Sequence, residues 1–154
     1  MMSKTPERAA LPPPVLYVST ILIALALSYA LPVPLPNNDW SRALAIALIL
    51  LGEGLSFWAM WRFRQEHTTA SNFSTTAQLL QDGPFRLSRN PINLGDTCAY
   101  IGLALLMGSL WPWLFLPGVI YLMNRLVIRP DEKELQEQFG ETYRAYCRRV
   151  RRWL

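Results

Sequence analysis

The stretch INLGDTCAYIGLALLMGSLWPWLFLPGVIYLMNRLVI, residues 92–128, decides the fold. It is almost wholly apolar, with Asp96 near its start and Arg125 near its end. Trp111-Pro112-Trp113 interrupts it in the middle. Proline suits the first turn of a helix, where its missing N–H loses no partner. The stretch therefore reads as two helices, 92–110 and 112–128, joined by almost no loop. Pro117 is expected to kink the second. Each is slightly short for a hydrocarbon core of about 30 Å, a mismatch that tilt or local thinning absorbs.

Two further apolar runs precede this hairpin. Residues 15–31 carry no charge and end at Pro32, Pro34 and Pro36, which cannot continue a helix. A cleavable signal is the competing reading, because Lys4 and Arg8 come first and Ser28-Tyr29-Ala30 fits a small-x-small site. The run is long for such a signal, and Pro12, Pro13 and Pro14 separate it from the basic residues, so a retained span is expected. Residues 43–61 hold one charge, Glu53, between Gly52 and Gly54. The chain of 154 residues is 51% hydrophobic and 17% charged, whereas soluble domains carry about 25% charge. This composition points to one all-α integral membrane domain, residues 1–154, with four transmembrane helices. It is too short for a soluble nucleotide-binding domain with a separate substrate domain.

Charge placement orients the spans. Lys4 and Arg8 lie before the first, and Arg62, Arg64, Arg86 and Arg89 follow the second. Arg129, Lys133, Arg144, Arg148, Arg149, Arg151 and Arg152 follow the fourth. Positive loops face the cytoplasm, so both termini are expected there. A net charge of +4 distributed in this way speaks for membrane lipids rather than nucleic acid. The segments are then two N-terminal spans (1–61), a cytosolic loop (62–91), the hairpin (92–128) and a cytosolic tail (129–154). In the tail, Leu135, Phe139, Tyr143, Tyr146, Val150 and Trp153 recur at spacings of three and four, as in one amphipathic helix. The sequence leaves the oligomeric state open.

Two motifs carry a resemblance. GPFRLSRNPINLGD, residues 83–96, is similar to G-P-[FY]-R-x-x-R-[HN]-P-x-Y-x-G, and RPDEKELQEQFGETYRAY, residues 129–146, to E-E-x-x-L-x-x-x-F-G-x-x-Y-x-x-Y. Both patterns belong to the isoprenylcysteine carboxyl methyltransferase and phospholipid methyltransferase superfamily, where one helical hairpin likewise separates them. The resemblance covers residues 68–154. It implies an integral membrane enzyme that uses S-adenosylmethionine, with a cytosol-facing cofactor pocket and a lipophilic or amphiphilic acceptor arriving from the bilayer. By similarity Gln78, Leu79, Leu80, Phe85, Asn90, Pro91, Ile92 and Asn93 would line the cofactor, with Asp131 and Glu132 after the last span. Arg125, or else Arg129, would face the acceptor. Asn90 stands where many members have His, Asn93 where Tyr is usual, and Asp131 for the first Glu of the pair.

The chemistry agrees with these assignments without forcing them. The cofactor's ammonium and ribose hydroxyls want an acidic group, its carboxylate wants donors, and its adenine wants an apolar wall. Asp131 and Glu132 also fit plain charge compensation at a helix N-terminus, stabilising by about 0.3–1 kcal/mol. Arg86 and Arg89 suit carboxylate or phosphate recognition as well as membrane anchoring. The arginines of 148–152 read as contacts to anionic lipid, and the Phe139–Tyr143–Tyr146 stripe as packing against the hairpin. Glu53, an ionisable group inside a span, is either a functional group or a packed neutral one. His67 has no assigned role, and no His/Cys cluster has metal-ligand spacing. Neither Cys98 nor Cys147 has a partner base, so neither reads as reactive. Asn72-Phe73-Ser74 fits a glycosylation pattern on the wrong side of the membrane.

The resemblance to the isoprenylcysteine branch favours carboxyl O-methylation, with Arg125 holding the carboxylate. Phospholipid or amine N-methylation is the alternative, with Glu53 as the group that takes a proton. Two other readings are a nicotinamide-dependent reductase and a non-catalytic membrane scaffold of the same fold.

Overall fold

A computed structural model describes residues 13–73 and 79–154, with the side chains of residue 13 and of residues 66–73 left aside. Five helices follow one another: α1 (Pro13–Ala30), α2 (Asp39–Phe73), α3 (Pro91–Met107), α4 (Trp111–Met123) and α5 (Arg129–Arg149). A 3₁₀ turn, Gly83–Arg86, precedes α3, and a π-helical turn, Asn124–Ile128, joins α4 to α5. No strand forms among the described residues, and a lone bridge pairs Pro34 with Ser109. Two helical stretches, Asp39–Gln65 and Trp111–Arg149, are long and apolar enough to cross a membrane. Pro14–Ala30 and Pro91–Met107 are shorter apolar helices.

The α2/α3 seam is built from small residues. A Cβ on Gly95 would stand 2.3 Å from Ser56 Oγ and 2.4 Å from Gly52 O. One on Gly102 would stand 2.6 Å from Ala45 O. Only glycine lets two helix backbones approach this closely. Ala45 and Ala59 are fully buried on the same face of α2. Outward faces carry Leu22, Ile23, Leu50, Leu51, Phe57 and Leu114, all exposed. So much exposed apolar surface suits a lipid environment rather than water.

On its other side α3 meets α1, where Tyr17 OH and Thr97 Oγ1 are 2.7 Å apart. Tyr17 also belongs to the apolar core, with Tyr100, Val119, Met123 and Val127. The connection between α3 and α4 is as short as expected: Gly108 takes φ +55 and α4 begins at Trp111. The two helices do not pack along each other as a hairpin, however. α3 lies chiefly against α2, and α4 chiefly against α1. The turn between α3 and α4 is tied down by Trp111 Nε1 donating to Leu31 O (2.8 Å) and Leu35 N donating to Gly108 O (2.8 Å).

Two boundaries differ from expectation. The loop placed at 62–91 is not a loop at its start, because α2 runs on to Phe73. That extension is polar, so hydropathy alone ended the helix too early. The tail is not one helix either. Gly140 has φ 50 and ψ −117 inside α5, a conformation that side chains exclude, and the chain kinks there. Ahead of α5, Arg129 N donates to Asn124 O, five residues back. This wider turn accommodates Pro130, which lacks an N–H and crowds the carbonyl four residues earlier.

Candidate functional site

The first motif folds as a 3₁₀ turn followed by a short irregular link into α3. Gly83 sits at φ +56, where glycine is favoured. Phe85 N donates to Asp82 O (3.1 Å) and Leu87 N to Pro84 O (3.1 Å). Arg62 of α2 pairs with Asp82 and holds the turn against that helix. Asn90 has φ −131 and ψ 62, outside the helical region and short of the extended conformation that a residue before proline favours, and Pro91 opens α3.

The kink at Gly140 brings the second half of α5 back onto this segment. Tyr146 OH donates to Phe85 O at 2.6 Å, and Arg149 Nη2 to Gln81 Oε1 at 2.6 Å. Glu132, in the first turn of α5, receives two guanidinium groups. Arg152 grips it with both arms of its fork, at 2.9 and 2.6 Å, and Arg89 Nη1 lies 3.2 Å away. Arg89 Nη1 also donates to Cys147 Sγ at 2.7 Å. The hydrogen bonds from Arg152 to Glu132 raise the arginine's pKa further. Burial pushes Tyr146 up to about 12, against the pull of Arg89. Burial raises the Tyr143 phenol as well, with Cys147 and Glu132 adding to the rise.

Four buried polar atoms have no partner among the described residues: Arg89 Nε, Tyr143 OH, Asn93 Oδ1 and Asp96 Oδ2. The first two are donors set between the first motif and α5. The last two are acceptors on the first turns of α3. Asp96 keeps its other oxygen 2.8 Å from Ser56 Oγ. A buried polar group left unanswered is costly, which makes these atoms markers for a ligand.

The structure gathers Phe85, Asn90, Pro91, Glu132 and their neighbours Arg89, Tyr143 and Tyr146 at one end of the bundle. Ile92 and Asn93 follow in the first turn of α3, and Leu79 and Leu80 are half-buried just before the 3₁₀ turn. Gln78 lies outside the described residues, as do Lys4, Arg8 and Ser74. Asp131 opens α5 beside Glu132. Although the residue is exposed, loss of hydration at its carboxyl raises its pKa, and Glu134 adds to the rise. Arg125 is exposed and donates to Tyr121 OH at 2.8 Å, one turn back on its own helix. Arg129 is exposed at the start of α5. Glu53 is exposed on α2, not packed between helices. Sequence reasoning passed over Ser88, Ser56 and the inward role of Arg152. The small-residue spacing of Gly52, Ser56 and Ala59 was the available signal for Ser56.

Residues 40–142 match the family model for phospholipid methyltransferases. The chain belongs to the phospholipid methyltransferase family. This family is part of the superfamily that also holds the isoprenylcysteine carboxyl methyltransferases, and its members are membrane methyltransferases. The match takes in both the first motif and the Asp131-Glu132 pair of this phospholipid methyltransferase family member. An uncharacterized protein of Haemophilus influenzae is 39% identical over 57 residues, which cover 34% of this chain and 90% of that protein. No solved structure matches.

Proposed function

We propose that this chain transfers a methyl group from S-adenosylmethionine to an amphiphilic acceptor that reaches the site from the membrane. The observation that carries this reading is the pair of unanswered buried donors, Tyr143 OH and Arg89 Nε. A carboxylate would satisfy both, and the cofactor carries one. Asp131, with its raised pKa, offers an acidic group for an amine or a ribose hydroxyl, and Phe85 offers an apolar wall. Asn90, Pro91, Ile92 and Asn93 supply the edge between them. When bound, the cofactor supplies an electrophilic methyl group on a sulfonium.

The chain's own residues then have three tasks. Arg89 and Tyr143 hold an anionic group, and the Glu132 ion cluster keeps Arg89 in place. The apolar surroundings keep water from the reacting centre. A group on α3 orients the acceptor. Here two acceptor chemistries part company. Carboxyl O-methylation rests on Arg125, whose guanidinium is engaged with Tyr121 on an exposed face. Amine N-methylation is favoured by Asp96 Oδ2, a buried acceptor without a donor, five residues past the start of α3. An ammonium would donate to it, and the carboxylate would take the proton that an amine must lose.

Calorimetry on the purified protein in detergent tests the cofactor reading. S-adenosylmethionine and its demethylated product should bind, and Tyr143→Phe and Arg89→Lys should weaken that binding by about tenfold. No binding to the wild-type protein overturns the reading. Transfer of labelled methyl to a lipid extract then separates the acceptors. Asp96→Asn should abolish it while Arg125→Ala keeps most of it. The reverse result, with cofactor binding intact in both variants, returns the assignment to a carboxylate.

A further inference from the structure

Past the end of α5 the chain does not turn away. Val150 is extended (φ −122, ψ 130), and residues 151–152 run alongside residues 88–90 of the first motif. Arg89 N donates to Arg151 O at 3.0 Å. Ser88 Oγ donates to Arg152 O at 3.0 Å, and Asn90 Nδ2 approaches the same carbonyl at 3.4 Å. Ser88 is fully buried, and its hydroxyl also accepts from Asn90 N at 3.1 Å. Each residue from Ser88 to Asn90 is thereby bonded to one or the other of two consecutive carbonyls far away in the sequence.

These carbonyls are fixed by the side chain beside them. The Arg152 fork reaches across to Glu132 with bonds of 2.9 and 2.6 Å, and Glu132 is only 15% exposed. Glu132 opens α5, so one arginine ties three pieces of chain together: the segment before α3, the first turn of α5, and the strap beyond its end. Arg148 on the same run has no such task. It pairs with Glu141 at 3.6 Å on a surface where both are about two-thirds exposed or more.

We propose that Arg152 is a positioning residue of the cofactor site: anchored on Glu132, it holds residues 151–152 as a strap that sets the backbone of Ser88, Arg89 and Asn90 for S-adenosylmethionine. The proposal rests on the cofactor reading above. A bidentate fork has a planar geometry that lysine cannot reproduce, so the role belongs to the guanidinium and not to positive charge alone.

The test compares wild type, Arg152→Ala, Arg152→Lys and Arg148→Ala in nanodiscs, with S-adenosylmethionine as the calorimetric probe. Affinity should fall by about tenfold or more in Arg152→Ala and in Arg152→Lys, and stay unchanged in Arg148→Ala. Millimolar guanidinium should restore affinity to Arg152→Ala, and ammonium should not. Amide hydrogen exchange supplies a readout that needs no ligand. In Arg152→Ala the Arg89 and Asn90 amides should lose protection while those of the α2/α3 seam keep theirs. Unchanged protection at Arg89 overturns the strap. Lost protection with unchanged affinity overturns the positioning role. Wild-type protein that fails to bind S-adenosylmethionine overturns the cofactor reading itself, a different failure from a variant that binds as well as wild type.

Discussion

Gly95→Ala puts a methyl group where the structure has no room for one. Its Cβ would lie 2.3 Å from Ser56 Oγ and 2.4 Å from Gly52 O, against an ordinary contact of 3.4–4 Å. Ser56 can swing aside, but the Gly52 carbonyl is backbone, so α2 and α3 must separate by about an ångström. Overpacking of this kind costs about 1–3 kcal/mol, and a clash with backbone belongs at the upper end. Alanine returns about 1 kcal/mol of helix propensity over glycine. The net loss is about 2 kcal/mol, a fall in Tm of roughly 4–8 °C for a chain of this size. Gly54→Ala, on the partner helix α2, is the internal control, because a Cβ there meets nothing within 4 Å. It should hold or raise Tm by roughly 2–4 °C. Thermal unfolding in one detergent, followed by far-UV circular dichroism, reads both. Equal shifts in the two variants would refute the close-approach argument.

Gly140→Ala forces a side chain into φ 50, ψ −117, at a cost of about 1–3 kcal/mol. The second half of α5 should leave its dock, seen as faster tryptic cleavage at Arg144 and Arg148. Tyr146 gives a pH signature. Its folded pKa of about 12 lies above the ordinary value of 10.0, so its share of stability is complete below pH 10 and is lost as pH rises towards 12. Wild type should therefore lose stability over that window more steeply than Tyr146→Phe, measured by denaturant midpoints at stepped pH.

The all-helical layout was legible because apolar runs and prolines act locally. The start of α3 at Pro91 and of α4 at Trp111 could be read from the prolines alone. The end of α2 could not, since residues 62–73 are mostly polar and carry no hydropathy signal. Gly140 was hidden by its neighbours. The apolar spacing from Leu135 to Trp153 continues across it as though the helix did too. That kink explains why Arg152 looked like one more lipid-facing arginine: its partner Glu132 lies 20 residues away in sequence and meets it only when the chain folds back. Arg125 was singled out by the resemblance and not by its surroundings. Its place near the end of the fourth span made it the candidate to face the acceptor, and the π-helical turn that houses it leaves it exposed, on Tyr121.

The pairing of α1 with α4 sets a timetable for synthesis. α2 and α3 are nearest neighbours along the chain and can join as soon as both have left the ribosome. α1 is made first, yet the groups that enclose Tyr17 include Val119, Met123 and Val127, from near the other end of the chain. At about 5–20 residues per second, the roughly one hundred intervening residues impose a wait of about 5–20 s. Through that interval Tyr17 stands without Val119, Met123 and Val127. A nascent chain stalled before α4 should then be held by chaperone or insertase contacts at α1, while its α2/α3 pair is already closed.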